Sequence, residues 1–342
     1  MTLADHFTVD AFIGRAIILG HLSMWAAGIW LPVLTLLTLV FAPLLTLLGF
    51  LPSLGYLYYI WFGPGAKAAK YANCHTHWRR WSIWKRLAAH FPAQLIKTAE
   101  LDPAGHYIFG IHPHGILCLS GWINFSTNGT GFDEKFPGVK LHALTLRLNL
   151  KTPIVREYIM HHGLADASRQ TCLRLLQRGP GESILLAVGG ANESLLAHPG
   201  SCDLVLKRRQ GFVRIALLAG ASLVPCIAFG ENNLYRTAPG GKKSLIRQIQ
   251  RRMEKILGYT IPVALGEGLF LPFGLLPRRS PLVSVVGKPI AVPKCTAGEN
   301  SAEFAKLLEE YHIKYITSLL ALYNEHKDKY DKKRTSDIRL IE

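Results

Sequence analysis

Two histidines one residue apart, in Ile111-His112-Pro113-His114-Gly115, directly follow the apolar run Tyr107–Ile111. An imidazole with an ordinary pKa near 6.5 accepts a proton from a substrate hydroxyl at neutral pH. Pro113 fixes its own φ and Gly115 lets backbone approach closely, so both rings sit on a stiff loop. The Gly115 amide can face a developing oxyanion. Two structural histidines, or half of a metal site, fit the same residues, although an HxH pair without a nearby third ligand is weak support for metal. A second group, Val188-Gly189-Gly190-Ala191-Asn192-Glu193-Ser194, also follows an apolar run. Its glycines let ligand or backbone come close, and Glu193 can orient a histidine or bind a hydroxyl. The plainer reading is a tight turn before a helix. A third group, Lys207-Arg208-Arg209-Gln210-Gly211-Phe212, sets three cations before a helix, which suits phosphates or is a solvated basic surface. A fourth, Phe229-Gly230-Glu231-Asn232, reads first as a turn. GxxxxGK(S/T), HExxH, GxSxG and post-strand GxGxxG do not occur, so P-loop, zinc-protease and standard serine-esterase chemistry lose support. Together the groups fit transfer from a phosphate-bearing donor.

Strands predicted at 107–111, 184–188, 223–229 and 282–286 must position these residues. Helical segments are predicted at 166–178, at 211–219 ending on Gly220, and at 242–257. Phe304, Leu307, Leu308, Tyr311, Tyr315, Leu319 and Leu322 repeat at helical spacing. Alternating strands and helices predict an α/β domain with a mixed, mainly parallel sheet. The charged tail from Lys327 reads as a solvated, frayed end or a tethering element, and its last residues match no retention signal.

Of 342 residues, 49% are hydrophobic and 18% charged, and 39 Lys plus Arg against 23 Asp plus Glu give a net +16. Mean hydropathy is +0.19. Disordered, collagen-like and low-complexity classes are excluded. Cys74, Cys118, Cys172, Cys202, Cys226 and Cys295 are widely spaced, which predicts free thiols facing a reducing compartment. No Asp, Glu, Lys or Arg occurs from 16 to 66. A helix of that length would run about 77 Å against roughly 30 Å of hydrocarbon, so two spans are expected. Residues 16–31 and 33–51 are apolar on all sides, punctuated by Pro32, Pro43 and Pro52, which predicts a hairpin turning between Trp30 and Phe50. Tyr56, Tyr58, Tyr59 and Trp61 form an interfacial belt, and the cations from Lys67 to Arg86 place that flank, and so the N-terminus, in the cytosol. The run starts too late and is too long for a signal peptide. The expected division is 1–15 cytosolic N-terminus, 16–66 membrane hairpin and 67–342 one cytosolic, membrane-associated domain. In 71–97, tryptophans interleaved with cations suit a helix in the headgroup layer or an ordinary amphipathic surface helix.

These residues resemble the diacylglycerol acyltransferase type 2 family, which includes monoacylglycerol and wax-alcohol acyltransferases. The resemblance runs through YIFGIHPHG (107–115), NFSTNGTGFDEKFPG (124–138), PIVREYIM (153–160), VGGANESL (188–195), RRQGFVRIAL (208–217), GASLVPCIAFGEN (220–232) and VVGKPIAVPK (285–294). The stretch 179–200 looks nearest to fungal-type members. The resemblance implies a transmembrane hairpin followed by a glycerolipid-acyltransferase-like α/β domain. It also implies acyl-CoA-dependent esterification of diacylglycerol at the endoplasmic reticulum membrane and lipid droplet, both chain ends being cytosolic. The family's HPHG falls on His112, Pro113, His114 and Gly115, and further family motifs cover Gly211, Phe212, Glu231 and Asn232. Some plant members carry Glu-Pro-His-Ser there, which favours His114 as base with His112 in support. Related glycerolipid acyltransferases pair His with Asp in His-x4-Asp, but Leu119 occupies that place here, which makes Glu193 the candidate for orienting His114. The family's Phe-Leu-x-Leu motif has no clean match. The implied mechanism puts CoA phosphates on Lys207, Arg208 and Arg209 and the oxyanion on amides of Gly115 or Gly189–Gly190. Acyl-CoA is then a substrate, and no metal or other cofactor is required. Diacylglycerol enters from the bilayer. A monoacylglycerol or fatty-alcohol acceptor, and a silent lipid-binding or droplet protein, stand as alternatives. A homo-oligomer is left open. The net charge and pI near 9.7 prompt a nucleic-acid reading. It is set aside because no such module accompanies the apolar run, and CoA with anionic lipid accounts for the charge.

Overall fold

The structure, a computed structural model, describes residues 9–41, 43–68, 77–237, 264–268 and 273–341. The chain starts with two apolar helices, α1 (Val9–Phe41) and α2 (Pro43–Trp61). α1 continues through Pro32, and residue 42, between the two helices, lies outside the described residues. Among the described residues, Asp10–Gly28 is the one helical stretch long and apolar enough to cross a membrane.

α1 shares a core with the α/β domain. Ala11 and Ile18 are buried, Ile18 among Trp84, Leu87, Phe91, Leu119 and Ile123. Gly14 and Gly28 permit the close approach, since a Cβ would overlap the His90 ring at one and the Pro153 carbonyl at the other. His21 stacks on Trp122 with ring centroids 4.5 Å apart. Arg86 pairs with Asp10 at 3.3 Å. α2 is tied down as well. The Tyr56 hydroxyl donates to the Glu157 carboxylate and accepts from the Ile154 amide, and Trp61 Nε1 donates to the Lys151 carbonyl at 3.1 Å.

In 71–97, residues 71–76 lie outside the described residues; a single helical turn, His77–Arg80, and α3 (Ile83–His90) come next. Trp84 is buried and Trp81 exposed. Arg79 is also buried and donates to the carbonyls of Phe125 and Ser126 at 2.8 and 3.0 Å, so this cation serves the domain's interior.

The strands are β1 (Gln94–Lys97), β2 (Tyr107–His112), β3 (Lys140–Thr145), β4 (Ala165–Asp166), β5 (Glu182–Ala187), β6 (Asp203–Val205), β7 (Ser222–Phe229), β8 (Arg236–Thr237), β9 (Ala264–Leu265), β10 (Val283–Val286) and β11 (Arg339–Ile341). Seven of them form one sheet in the order β1-β10-β7-β2-β5-β3-β4. Only β10 against β7 is antiparallel, so the sheet is mixed and mainly parallel, as expected. All four predicted strands are present, with ends shifted by one or two residues.

Parallel strands covered on both faces read as continuous apolar runs. β2 shows why. Ile108 packs among Ile184, Val213, Ala216 and Phe304 on one face, while Tyr107, Phe109 and Ile111 meet Phe125, Phe132 and Phe136 on the other. The first face is covered by α5 (Arg169–Leu176), α6 (Gly211–Ala219) and α7 (Ala302–Tyr330), and α4 (Val155–His161) lies beside α1. α6 ends at Gly220 with φ +72, as the sequence suggested. The start expected for α5 at 166 falls on β4 instead, because Ser168 caps the helix by accepting from the Thr171 amide. The helix predicted at 242–257 lies outside the described residues.

The tail differs from expectation. α7 runs to Tyr330, β11 pairs parallel with β6, and Arg339 forks onto Asp203 with both contacts at 2.7 Å. Asp337 pairs with Lys327 and Arg334, and Asp328 pairs with Arg334. The mixed charges that suggested solvation satisfy one another locally.

Candidate active site

β2, β5 and β7 lie side by side and parallel, so their C-terminal ends open onto one edge. Ile111 is level with Ala187 on β5 and with Cys226 on β7. The polar groups just past each strand therefore converge, where ligands bind in α/β sheets.

His114 is part-buried, and its Nδ1 lies 2.9 Å from the Gly115 carbonyl oxygen. A carbonyl only accepts, so Nδ1 carries the proton and Nε2 keeps a lone pair. Burial holds the ring below its ordinary pKa of 6.5, so it is neutral at pH 7. A neutral imidazole with one fixed proton and one free lone pair has the form a general base needs.

Glu193 meets the main chain of His114 and not its ring. Oε2 accepts from the His114 amide at 2.8 Å and Oε1 from the Val205 amide at 2.9 Å. One carboxylate thus ties the loop after β2 to β6. Burial pushes its pKa up to about 7, against the pull of those two amides and of Arg209. Gly189 is needed beside it, because a Cβ there would overlap the Glu193 carboxyl. Gly190 has φ +62 and its amide donates to the Ala187 carbonyl at 3.0 Å, which closes the turn.

Glu231 grips the other side of the loop. Its carboxylate accepts from the amides of Leu119 and Ser120 at 2.9 and 2.8 Å and from the Ser120 hydroxyl at 2.6 Å. Burial raises its pKa. Gly115 has φ +62, and a Cβ there would press on Glu231 Cγ at 2.5 Å. Leu119, where the related enzymes' Asp would stand, supplies an amide to Glu231 in place of a carboxylate. Asn232 donates to the Ser201 carbonyl at 2.8 Å and so ties two loops outside the His114 contact.

His112 is fully buried and joined to Pro113 by a cis bond. Burial takes its pKa down to about 3. Its Nε2 lies 2.9 Å from the hydroxyl of Tyr315 on α7, and that hydroxyl lies 3.2 Å from the Gly110 carbonyl oxygen. Tyr315 enters the sequence reading only as one residue of a helical stripe. The available signal is a tyrosine in a buried stripe, whose hydroxyl must find a partner.

Lys207, Arg208 and Arg209 are exposed on the turn between β6 and α6. They come just after Val205 and so stand beside the Glu193 tether. Gln210 does not cap α6 with its side chain, which reaches Glu309 instead. A Cβ on Gly211 would meet open space, while Phe212 is buried with its ring 4.7 Å from that of Tyr315. Among the described residues, no three His, Cys, Asp or Glu side chains are grouped to hold a metal.

The arrangement pairs a neutral imidazole with two carboxylate clamps and an exposed cationic turn. A family model described as "Diacylglycerol acyltransferase" matches residues 40–341. "Diacylglycerol O-acyltransferase 2A" of Umbelopsis ramanniana is 44% identical over 289 residues, which cover 84% of this chain and 81% of the relative. "2-acylglycerol O-acyltransferase 1" of Bos taurus is 40% identical over 82% of each chain. Among solved structures, the 1-acyl-sn-glycerophosphate acyltransferase PlsC of Thermotoga maritima aligns with 78% of this chain and 92% of its own, with 11% identity and a TM-score of 0.34. The chain belongs to the diacylglycerol acyltransferase family.

Proposed function

We propose that this chain is an acyl-CoA-dependent diacylglycerol O-acyltransferase that makes triacylglycerol, with Nε2 of His114 as the general base. The supporting observation is the hydrogen bond from His114 Nδ1 to the Gly115 carbonyl, which fixes the proton away from the working nitrogen. Nε2 takes the hydroxyl proton of diacylglycerol as that oxygen attacks the thioester carbonyl. The amide of Gly115 or that of Gly189 holds the oxyanion, since the Gly190 N–H already serves the Ala187 carbonyl. The tetrahedral intermediate expels CoA thiolate, which takes the proton back from His114, giving triacylglycerol and free CoA. CoA phosphates rest on Lys207, Arg208 and Arg209, and no further cofactor takes part.

The proposal extends to location. Residues 16–66 form a two-span hairpin in the endoplasmic reticulum membrane or lipid-droplet surface, with the N-terminus in the cytosol and residues 67–342 on the cytosolic side, seated at the membrane where Trp84, Phe91 and Trp122 meet α1. Trp30, Val33, Leu34, Leu36, Leu51, Leu54 and Phe62 all expose large apolar side chains, which suits burial in lipid.

Membranes from a triacylglycerol-deficient host test the chemistry, with labelled oleoyl-CoA and diacylglycerol, monoacylglycerol or fatty alcohol as acceptor. The expected result is triacylglycerol from the wild type and none from His114→Ala. Monoacylglycerol or fatty alcohol as the sole acceptor would assign the acceptor otherwise. No product with any acceptor would favour a silent lipid-binding protein. Full activity in the variant would move the base elsewhere.

A further inference from the structure

Tyr315 and Gly110 bracket His112 in a way that restricts where its protons can be. The Tyr315 hydroxyl has one proton and two neighbours, His112 Nε2 at 2.9 Å and the Gly110 carbonyl oxygen at 3.2 Å. The carbonyl only accepts, so both contacts are hydrogen bonds in a single arrangement. In it Tyr315 donates to Gly110, and His112 donates its Nε2 proton to Tyr315. The remaining nitrogen, Nδ1, then holds a lone pair. It has no partner among the described residues although the ring is fully buried. Gly110 is part of the same device, because a Cβ there would overlap the Tyr315 hydroxyl. The Tyr315 ring itself is held against Phe212.

We infer that Tyr315 is a positioning residue of the acyl-transfer site, acting through His112. It fixes the His112 tautomer so that the ring presents a lone pair at Nδ1 to a donor group of bound substrate. Without the hydroxyl, both neutral tautomers of His112 become accessible and part of the population presents an N–H instead. The inference rests on the acyltransferase reading above for its catalytic consequence, but not for the tautomer itself.

Full-length wild type, Tyr315→Phe, His112→Ala and the double variant are compared in membranes with labelled oleoyl-CoA and diolein. Phenylalanine keeps the ring on Phe212, so a packing role alone predicts an unchanged rate. The expected result is a loss of about ten- to a hundred-fold in kcat, on the scale known for partners that orient a metal-bound histidine. KM for oleoyl-CoA stays unchanged, and the double variant is no slower than His112→Ala. Gly110→Ala reproduces Tyr315→Phe. Nitrogen NMR of the His112 ring in selectively labelled, detergent-solubilised protein shows Nε2–H in the wild type and mixed tautomers in Tyr315→Phe. A wild-type kcat in Tyr315→Phe, multiplicative losses in the double variant, or a His112 signal indifferent to Tyr315 overturns the inference. An inactive wild type that still shows the Tyr315-dependent signal refutes the acyltransferase reading and confirms the tautomer.

Discussion

Because the Gly115 carbonyl keeps a proton on Nδ1 of His114, the ring can meet substrate only through Nε2. As the proposed base, that nitrogen works while unprotonated. Burial lowers its pKa from 6.5, so the base form persists to more acid pH than a free imidazole would allow. The acid limb of kcat against pH should therefore have its midpoint below 6.5, measured at saturating oleoyl-CoA. Gly189→Ala tests the second clamp. Its Cβ would displace the Glu193 carboxyl from the amides of His114 and Val205. Leaving such groups unpaired costs about 1–3 kcal/mol each. Triacylglycerol formation should fall about ten-fold or more, whereas Gly211→Ala, facing open space, should retain it. Single residues also decide what a glycosylation test can report. Asn-x-Ser/Thr sequons stand at 124–126, 128–130 and 192–194; Asn124 is buried and donates to Ser284, so Asn128 and Asn192 are left to report topology, by a glycosidase-sensitive mobility shift. At this scale the position of HPHG, Glu193 and Glu231 just past strands was legible, whereas the turn reading of the Glu231 segment gave no hint of its grip on the Leu119 and Ser120 amides. The direction of the Glu193 carboxylate was not legible, since it depends on β6 passing alongside. The partnership of His112 with Tyr315 spans 203 residues and leaves no local pattern.

Strands with unbroken apolar runs were readable, and strands carrying polar residues were not. β3 reads KLHALT, and its His142 hides a buried pair with Glu182 at 2.6 Å. Burial pushes the Glu182 carboxyl up, but the His142 hydrogen bond and nearby Arg178 and Lys140 outweigh it and hold the pKa below 4.5. A depressed carboxylate adds stability above its unfolded pKa and loses it as pH falls through the folded value. Thermal unfolding scans below pH 4.5 should show that loss in the wild type and a shallower pH dependence in Glu182→Gln. β6 and β11 were invisible because each is three residues long and their pairing depends on Arg339 reaching Asp203. β6 also supplies the Val205 amide to Glu193. Removing residues 336–342 should therefore lower kcat and leave membrane association unchanged, by activity and carbonate extraction in parallel.

Across the whole molecule, the sequence suggested a membrane anchor followed by a separate domain, and the structure gives them a common core. An all-apolar helix has no stripe from which a docking face can be read. The face shows only in the close approaches at Gly14 and Gly28 and in the burial of Ile18. Ile18→Ala should destabilise by about 2–5 kcal/mol, as buried isoleucines do, seen as a lower detergent-solubilised Tm. Removing residues 1–62 should yield an aggregating, inactive protein instead of a soluble enzyme, because Trp84, Leu87, Leu119 and Ile123 would lose their cover.

The pairing of β11 with β6 also orders events during synthesis. The apolar helices leave the ribosome before the α/β domain and can engage lipid while that domain is still unmade. β6 backs the loop that carries His114, and among the described residues its one strand partner is β11, which follows it after the whole of α6, β7, β10 and α7. A nascent chain can thus meet lipid well before the loop that carries His114 is braced, because that brace waits for β11, made after every other strand of the domain described.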